Sequence, residues 1–368
     1  MQIRAAMRSA LSLANHGIGT CGPNPSVGCV ILNSDMQLVS SARTGTNGRP
    51  HAEKIAIEQT VSDIKGGTAF VTLEPCAHEG STPSCASLLH RSGIKKIYIS
   101  CLDPDKRTSG KGVSILKNGG LEVHLGMYET LAKDLYRGFF YRILRGRPQV
   151  TLKMATSLDG KIANPKGNSK WITGDLARKH GHMQRATSDA VLVGINTVTE
   201  DNPTLTCRLK GLESQSPIRI VVDSRLSLPL KSNLIKTINK SPVHIWTSKK
   251  SKTEKKEALK DMGVKILELE EDDRNRLCLS EGLKCLGHNG INNLLVEGGG
   301  QVSASFIANN LVDRVYLYRS GMFLGENSVS SVSDLGFEDI PLEKKFFRKN
   351  FRLLENDVFE EWKTIESE

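Results

Sequence analysis

The first hundred residues contain three side chains of the types that bind zinc: His51, Cys76 and Cys85. One imidazole and two thiolates are one ligand short of a tetrahedral set, and catalytic zinc sites keep that fourth position for water. Zinc lowers the pKa of such a water to roughly 7. Glu53 lies two residues after the histidine and is placed to move protons rather than to bind metal. The residue types and their spacing therefore predict a catalytic zinc site.

The order of these residues narrows the chemistry. His-x-Glu followed by a later Pro-Cys is the signature of zinc enzymes that remove an amino group from a nucleobase by hydrolysis. Each piece alone has a simpler interpretation, because His-Ala-Glu also occurs on polar helix faces and a lone Pro-Cys often serves packing. Another alternative is a closed, structural zinc site with His78 as the fourth ligand. A strand-like run at 68–73 between the two pieces favours the catalytic interpretation.

Length and composition indicate two globular domains in the cytoplasm. A chain of 368 residues is long for one domain. No run approaches the ~18–20 apolar residues of a membrane span, and residues 1–20 have no signal-peptide core. The cysteines outside the zinc set follow no paired spacing, which predicts reduced thiols: Cys21, Cys29, Cys101, Cys207, Cys278 and Cys285. Cys29 stands in the apolar run 27–32 and is expected in the core.

The formal net charge of +10 suits anionic small molecules such as nucleotides or sugar phosphates. A nucleic-acid base deaminase with an appended binding domain is the alternative. The basic residues are scattered, however, and no aromatic-rich basic stripe for stacking bases is present. The dense lysine cluster at 249–256 stands where a surface helix is expected, so we interpret it as a solvated face. We expect neither a nucleic acid nor a membrane as partner.

Apolar periodicity predicts alternating helices and strands in the first 144 residues. The expected helices are 2–16, 51–58, 84–92 and 129–144, and the expected strands are 27–32, 68–73, 96–101 and 121–125. This alternation is typical of a layered α/β domain. Basic and turn-forming residues at 145–148 predict a linker. We therefore expect one domain at 1–146 and a second at 147–368.

The second half alternates again. Expected strands are 150–155, 189–194, 218–222, 242–246, 264–267, 292–296 and 313–318, and expected helices are 175–187, 253–261, 273–287 and 301–310. The glycine turn at 298–300 lacks the G-x-G-x-x-G fingerprint, so a Rossmann dinucleotide site is not indicated. The stretch 196–205 is polar and is expected to be a loop at a strand end, where α/β sheets bind ligands.

The whole chain resembles the bifunctional deaminase/reductase family of riboflavin biosynthesis, the RibD type. The matching runs are 23–30 (PNPSVGCV), 51–53 (HAE), 71–78 (VTLEPCAH), 152–160 (LKMATSLDG), 171–174 (WITG) and 296–299 (VEGG). They occur in the family's order and cover nearly everything before the last ~40 residues. Eight residues separate Cys76 from Cys85, as in the riboflavin enzymes, whereas the tRNA and cytidine types carry P-C-x-x-C.

The resemblance implies a fold and two successive reactions. A cytidine-deaminase-like three-layer α/β/α domain would hydrolyse the amine of 2,5-diamino-6-(5-phosphoribosylamino)pyrimidin-4-one. A dihydrofolate-reductase-like α/β domain would then use NADPH to reduce the ribosyl group of the resulting uracil to ribityl. The cofactor carries the redox chemistry, and the protein supplies position and electrostatics. A homo-oligomer, a dimer or larger, is also expected.

The resemblance also implies roles for individual residues. His51, Cys76 and Cys85 would bind zinc, Glu53 would be catalytic, and Asn24 would recognise the base. Expected NADPH contacts are Ala155, Trp171, Thr197, Asp201, Ser224, Gly299, Gly300, Gln301, Val302, Ser303, Ala304 and Ser305. Expected substrate contacts in the second domain are Ser169, Arg185, Leu205, Arg208 and Glu297. The two arginines would suit a sugar phosphate. Lys153 could polarise the imine or steer the phosphate, or it could simply pair with a carboxylate.

Four residues, at three places in the chain, depart from the family pattern. Ser81 replaces the arginine that commonly precedes the second cysteine, Asn202 replaces the second aspartate of Asp-Asp-Pro, and Arg319-Ser320 replaces a common Ala-Pro. These departures concern substrate contacts and leave the predicted reaction class unchanged.

Overall fold

The computed structural model describes residues 2–60, 62–78, 83–272, 275–339, 341 and 345–365. The chain forms two compact units, Met1–Gly146 and Arg147–Glu368. All eight cysteines are free thiols, and Cys29 is fully buried, as expected from its apolar run. Among the described residues, none of the helices combines the length and hydropathy that crossing a bilayer requires.

The first unit is a five-stranded sheet between helices. Its helices are α1 (Gln2–His16), α2 (Ala52–Glu58), α3 (Cys85–Arg91), α4 (Lys111–Asn118), α5 (Glu129–Leu135) and α6 (Arg137–Arg145). Its strands are β1 (Gly28–Leu32), β2 (Leu38–Arg43), β3 (Thr68–Val71), β4 (Lys96–Ile99) and β5 (Glu122–Leu125). The strand order is β2-β1-β3-β4-β5. β1 runs antiparallel to both its neighbours, and β3, β4 and β5 are mutually parallel.

Both faces of this sheet are buried, as the continuous apolar run of β1 predicts. Side chains alternate across a strand. Cys29 and Ile31 therefore pack in one cluster with residues of α2, α3 and α4, whereas Val30 and Leu32 pack in another with α1. The three-layer α/β/α architecture predicted for this half of the chain is confirmed.

The second unit is built on a nine-stranded sheet. Its strands are β6 (Gln149–Thr156), β7 (Lys161–Ala163), β8 (Ala190–Gly194), β9 (Ile218–Val222), β10 (Val243–Ser248), β11 (Lys265–Leu269), β12 (Asn293–Val296), β13 (Arg314–Arg319), β14 (Val329–Ser330), β15 (Phe346–Leu354) and β16 (Asp357–Thr364). Its helices are α7 (Asp175–Ala186), α8 (Ile195–Asp201), α9 (Asn233–Lys236), α10 (Thr253–Asp261), α11 (Leu279–His288) and α12 (Gly300–Ala308).

The order of the large sheet is β11-β10-β9-β8-β12-β6-β13-β16-β15, and β7 pairs separately with β14. The strands from β11 to β13 are parallel, and β16 and β15 add an antiparallel end. Residues of α11 and α12 pack on one face of the sheet, and residues of α9 and α10 pack on the other. The α/β architecture predicted for the second half is confirmed as well.

One predicted helix is in fact two. The expected helix at 129–144 is interrupted at Tyr136, which ends α5 and precedes α6 with φ −91° and ψ 8°. The Tyr136 hydroxyl lies 2.5 Å from the Thr72 hydroxyl oxygen and donates to the Ser26 carbonyl oxygen at 3.2 Å. This buried side chain therefore anchors the break between α5 and α6 to residues beside β1 and β3. Such a tertiary contact cannot be predicted from apolar periodicity.

Other boundaries were also wrong. The expected helix at 273–287 begins only at Leu279, because Leu277 forms an antiparallel bridge with Glu271. The expected loop at 196–205 contains α8, in which only Val198 is fully buried. β15 and β16 fall in the C-terminal segment for which no fold was predicted.

Lys256 is not part of a solvated face, since it is 6% exposed and pairs with Glu268 at 2.9 Å.

Candidate functional site

Three elements of the first unit bring the predicted zinc ligands together. His51 caps the N-terminus of α2, Cys85 is the first residue of α3, and Cys76 lies in the turn after β3. The His51 Nδ1 atom lies 3.3 Å from the Cys85 Sγ atom and 3.7 Å from the Cys76 Sγ atom. All three ligand atoms lie within 4.8 Å of one another.

These distances fit a zinc ion. With Zn–N near 2.0 Å and Zn–S near 2.3 Å, tetrahedral bonding places the nitrogen and sulfur atoms about 3.6 Å apart. The two measured N···S distances bracket that value. Two soft thiolates and one imidazole are also the donor set that zinc prefers. The site can therefore hold zinc with no rearrangement of the backbone.

The hydrogen bond between the two cysteine side chains shifts their pKa values in opposite directions. The Cys85 side chain and the His51 ring hold the pKa of Cys76 down at about 4, although burial opposes this. The backbone N–H of Cys85 also donates to the Cys76 Sγ atom at 3.3 Å. The pKa of Cys85 is raised well above its usual value by its hydrogen bond to Cys76 and by burial. The protein alone thus favours a thiolate at Cys76, whose Sγ atom accepts the first N–H of α3.

Glu53 occupies the first turn of α2, two residues from the His51 ligand, and is 3% exposed. Burial raises its pKa to about 7, and the His51 ring partly opposes this shift. Glu53 is not a member of the three-residue ligand cluster. It is therefore a buried carboxyl group beside the cluster, where it can exchange protons with a bound molecule.

Asn24 is held in one orientation by the turn that precedes His51. Its Nδ2 group donates to the Gly48 carbonyl oxygen at 3.1 Å. Gly48 has φ +82°, and a Cβ atom there would lie 2.5 Å from that Nδ2 atom, so only glycine fits. This hydrogen bond uses the Nδ2 group of Asn24, and its amide oxygen has no part in it.

The alternative of a closed zinc site receives no support from His78. Its side chain is exposed, and it is not in the cluster that the described residues form. The departure at Ser81 lies outside the described residues.

The second unit contains a cavity of about 850 Å³ at the carboxyl ends of its parallel strands. It extends from Ala155 near the end of β6 to Glu271 after β11. Five strand spacings of about 4.8 Å separate these two strands, so the cavity edge is roughly 24 Å long. That length suits an extended dinucleotide together with a second small molecule.

Many of the predicted contacts line this cavity. Those expected for NADPH are Ala155, Thr197, Asp201, Ser224, Gly299, Gly300, Gln301, Val302 and Ser305, and those expected for substrate are Ser169 and Glu297. Ser169 donates to the Asp201 carboxylate at 3.1 Å. The others do not line it: Trp171, Arg185, Ser303, Ala304, Leu205 and Arg208. Of these, Trp171 is 63% exposed, with the Arg178 guanidinium 4.4 Å from the centre of its ring.

The glycine turn after β12 fits a phosphate-bearing cofactor. Gly299 caps α12 without a side-chain hydrogen bond, and Gly299, Gly300 and Gln301 line the cavity, so the N-terminus of this helix lies where an anion would be favoured. A Cβ atom on Gly300 would lie 2.6 Å from the Ser330 carbonyl oxygen, and one on Gly298 would lie 2.6 Å from Val302. Glycine at these two positions therefore lets the turn pack closely against Ser330 and Val302.

Glu297 and Arg185 form a bidentate ion pair at one end of the cavity. The Arg185 Nε and Nη2 groups donate to the two Glu297 oxygens at 2.7 and 2.9 Å. The Lys153 Nζ atom lies 4.0 Å from the same carboxylate. Burial by itself would raise the pKa of Glu297, but Arg185 and Lys153 hold it at about 2. Arg185 thus positions Glu297, and Lys153 also lines the cavity.

His182 was missed by the sequence analysis. It precedes Arg185 by three residues on α7, a spacing that places both on one helix face. Burial, Arg185 and the exposed Arg208 lower the pKa of His182 to about 4. The helical spacing from Arg185 was the available signal. Lys153 also lowers this pKa, whereas Glu297 raises it, so charges of both signs surround the ring.

Comparison with known proteins adds independent information. The family profile described as "RibD C-terminal domain" matches residues 148–359. The profile described as "Cytidine and deoxycytidylate deaminase zinc-binding region" matches residues 1–101. The chain is 40% identical over 352 residues to the riboflavin biosynthesis protein RibD of Aquifex aeolicus, which covers 96% of each chain.

Two solved structures match nearly all of the chain. The diaminohydroxyphosphoribosylaminopyrimidine deaminase/5-amino-6-(5-phosphoribosylamino)uracil reductase of Thermotoga maritima matches with a TM-score of 0.87 at 34% identity, covering 99% of both chains. RibD of Acinetobacter baumannii matches with a TM-score of 0.88 at 35% identity and the same coverage.

Proposed function

The chain belongs to the RibD family and is a bifunctional deaminase and reductase of riboflavin biosynthesis, and on this premise we propose how its two units divide the work. Residues 1–146 deaminate 2,5-diamino-6-(5-phosphoribosylamino)pyrimidin-4-one with zinc. Residues 147–368 then reduce the ribosyl side chain of the product, 5-amino-6-(5-phosphoribosylamino)uracil, to ribityl with NADPH. The observation that carries the deaminase assignment is the His51–Cys76–Cys85 cluster beside a buried Glu53.

In the deaminase, this chain's residues bind the substrate and move protons. His51, Cys76 and Cys85 would hold zinc, which when bound supplies a Lewis acid that makes water nucleophilic at neutral pH. The Glu53 carboxylate takes one proton from the attacking water and delivers it to the ring nitrogen. It then takes the second proton from the resulting hydroxyl group and delivers it to the amino group, which leaves as ammonia as the C–N bond breaks and the carbonyl forms. The Asn24 amide oxygen accepts a hydrogen bond from the heterocycle edge and fixes its orientation.

In the reductase, the cavity orients two molecules. NADPH, when bound, supplies a hydride, and the N-terminus of α12 with its glycines would hold the cofactor's phosphates. The ring-opened form of a glycosylamine is an imine, which accepts hydride at the first carbon of the sugar. Lys153 presents a positive charge at this end of the cavity, and Ser169 and Glu297 supply polar contacts. Arg208 lies beside His182 and would attract the substrate's phosphate.

A single incubation tests both assignments. The zinc-loaded protein is mixed with the diaminopyrimidinone substrate, with and without NADPH, while ammonia release and NADPH oxidation are followed together. We expect ammonia without NADPH, followed by NADPH oxidation when the cofactor is added. Ammonia without any NADPH oxidation would contradict the reductase assignment, and absence of both signals would contradict both.

We further infer that the protein acts in the cytoplasm, where free thiols persist, and as a homo-oligomer, since closed symmetric assemblies are the commonest. Sedimentation velocity tests the second point, because a monomer at working concentration would contradict it. The nucleic-acid alternative predicts a salt-sensitive shift of single-stranded RNA by the protein.

A further inference from the structure

Glu74 is a buried carboxylate directly before the Pro75-Cys76 turn, and it is 3% exposed. Its Oε2 atom accepts from the Gly110 N–H at 3.0 Å and from the Asp103 N–H at 3.3 Å, and its Oε1 atom accepts from the Val113 N–H at 3.0 Å. Gly110 and Val113 flank the start of α4, where a negative charge is favoured by the helix dipole. Three backbone donors therefore converge on one side chain that the deamination chemistry does not use.

The same turn is held at further points. The Glu74 N–H donates to the Cys101 carbonyl oxygen at 3.0 Å, just beyond β4, and the Ala86 N–H of α3 donates to the Cys76 carbonyl oxygen at 3.2 Å. A Cβ atom on Gly112 would lie 2.1 Å from the Pro75 carbonyl oxygen, so α4 is in close contact with the turn. The turn is thus fixed between α3 and α4, with the Glu74 carboxylate as its charged attachment to α4.

We propose that Glu74 is a positioning residue for the zinc site: its attachment to the N-terminus of α4 sets the place of the Cys76 thiolate relative to His51 and Cys85. This inference rests on the proposed function only in taking Cys76 as a zinc ligand. The physical reason is the short connection. Only one residue separates Glu74 from the Cys76 ligand, and that residue is Pro75, whose φ is fixed by its ring. Displacement of Glu74 is therefore transmitted to the Cys76 Sγ atom.

Glu74→Gln tests the proposal with almost no change in volume. An amide offers one oxygen, and its N–H₂ group would face a backbone N–H, so at least one of the three donors loses its acceptor. Supporting interactions behind metal ligands typically contribute 10–100-fold to metal affinity. We expect the zinc dissociation constant, measured by competition with a chromophoric chelator, to rise about 10-fold or more. We also expect the thiolate-to-metal charge-transfer band of the cobalt-substituted protein to shift.

A matched control separates positioning from general stability. Leu116→Ala removes a fully buried side chain from the same α4 helix without touching the turn. It should lower the thermal unfolding temperature yet leave zinc affinity and the cobalt spectrum near those of the wild type. Gly112→Ala keeps Glu74 but displaces the Pro75 carbonyl, so it should weaken zinc binding as Glu74→Gln does. It is the replacement test if Glu74→Gln does not fold.

The outcomes are distinct. If Glu74→Gln or Gly112→Ala lowers the unfolding temperature but leaves zinc affinity and the cobalt spectrum unchanged, Glu74 is merely structural and the proposal is wrong. If the wild-type protein itself does not bind one zinc per chain, the proposed function fails instead.

Discussion

Replacing Arg185 with methionine should destabilise the second unit strongly, because it leaves the Glu297 carboxylate buried without its bidentate partner. Methionine keeps most of the length of the arginine side chain, so the change is chiefly one of charge and hydrogen bonding. Both side chains of the pair are largely buried, with 14% and 11% of their surfaces exposed. The loss is therefore not screened as it would be at the protein surface.

The loss of stability can be judged from the pKa of Glu297 and from the general cost of breaking a buried ion pair, and the two values are similar. The pKa of Glu297 is lowered from an ordinary value of 4.5 to about 2, which at roughly 1.4 kcal/mol per pKa unit corresponds to about 3 kcal/mol in favour of the ionised form. Removing one partner of a buried ion pair generally costs about 3–5 kcal/mol. We expect the lower end of this range, because Lys153 remains 4.0 Å from the carboxylate.

The assay uses the distribution of tryptophan. Trp171, Trp246 and Trp362 are the chain's three tryptophans, and all belong to the second unit. Tryptophan emission during urea unfolding therefore reports that unit alone. The free energies of unfolding of Arg185→Met, Glu297→Gln and the double variant complete a double-mutant cycle. We expect the double variant to recover most of the loss, since replacing both partners removes the stranded charge.

The pH dependence tests the cause. In the wild type the lowered pKa of Glu297 gives stability that is fully present above pH ~4.5 and is lost as pH falls through about 2. In Arg185→Met the burial that raises this pKa is opposed by Lys153 and His182 but no longer by Arg185, so we expect protonation to relieve the penalty at mildly acidic pH. The difference between wild type and variant should shrink between about pH 7 and pH 5. An equal difference at both pH values would refute the reasoning.

Other substitutions address the two active sites separately. Glu53→Gln should lower deamination by about 10²–10⁴-fold while zinc content and NADPH-dependent reduction persist; loss of both activities in a folded, zinc-loaded variant would contradict two independent sites. Gly300→Ala brings a methyl group within 2.6 Å of the Ser330 carbonyl oxygen, so the KM for NADPH should rise while deamination is unchanged. Arg208→Ala should raise the KM for the phosphorylated substrate of reduction, whereas Lys210→Ala, an equally exposed neighbour, should not; equal effects would remove Arg208 from the substrate site.

The sequence predicted those features that depend on local pattern. The strand β1 and the helix α1 follow from apolar periodicity, and their residues pack as that periodicity requires. The zinc cluster was predictable because His51 and Cys76 stand in short runs of fixed residue types. Such runs constrain the chemistry before any tertiary contact is known.

Features that depend on tertiary partners were not predictable. Arg185 and Glu297 were both expected to contact substrate, but their mutual pairing joins residues 112 positions apart in the chain. Tyr136, at the break between α5 and α6, hydrogen-bonds to Ser26 and Thr72, which lie just beside β1 and β3. The polar sequence of α8 resembles a loop because most of the helix faces the cavity rather than the core. In each case the contacts of a side chain depend on a tertiary neighbour, which apolar periodicity cannot identify.

The strand order of the second unit has a consequence for biosynthesis. β6 is the first strand of this unit, yet both its partners, β12 and β13, begin only at Asn293 and Arg314. During synthesis on the ribosome, well over a hundred residues must follow β6 before either edge of this strand can pair with its neighbour. Pairing between such distant segments is slow, and unpaired edges invite aggregation in the meantime. β12 lies between β8 and β6, so the centre of the sheet can form only late in synthesis. The reductase site is therefore completed well after the deaminase unit has been synthesised.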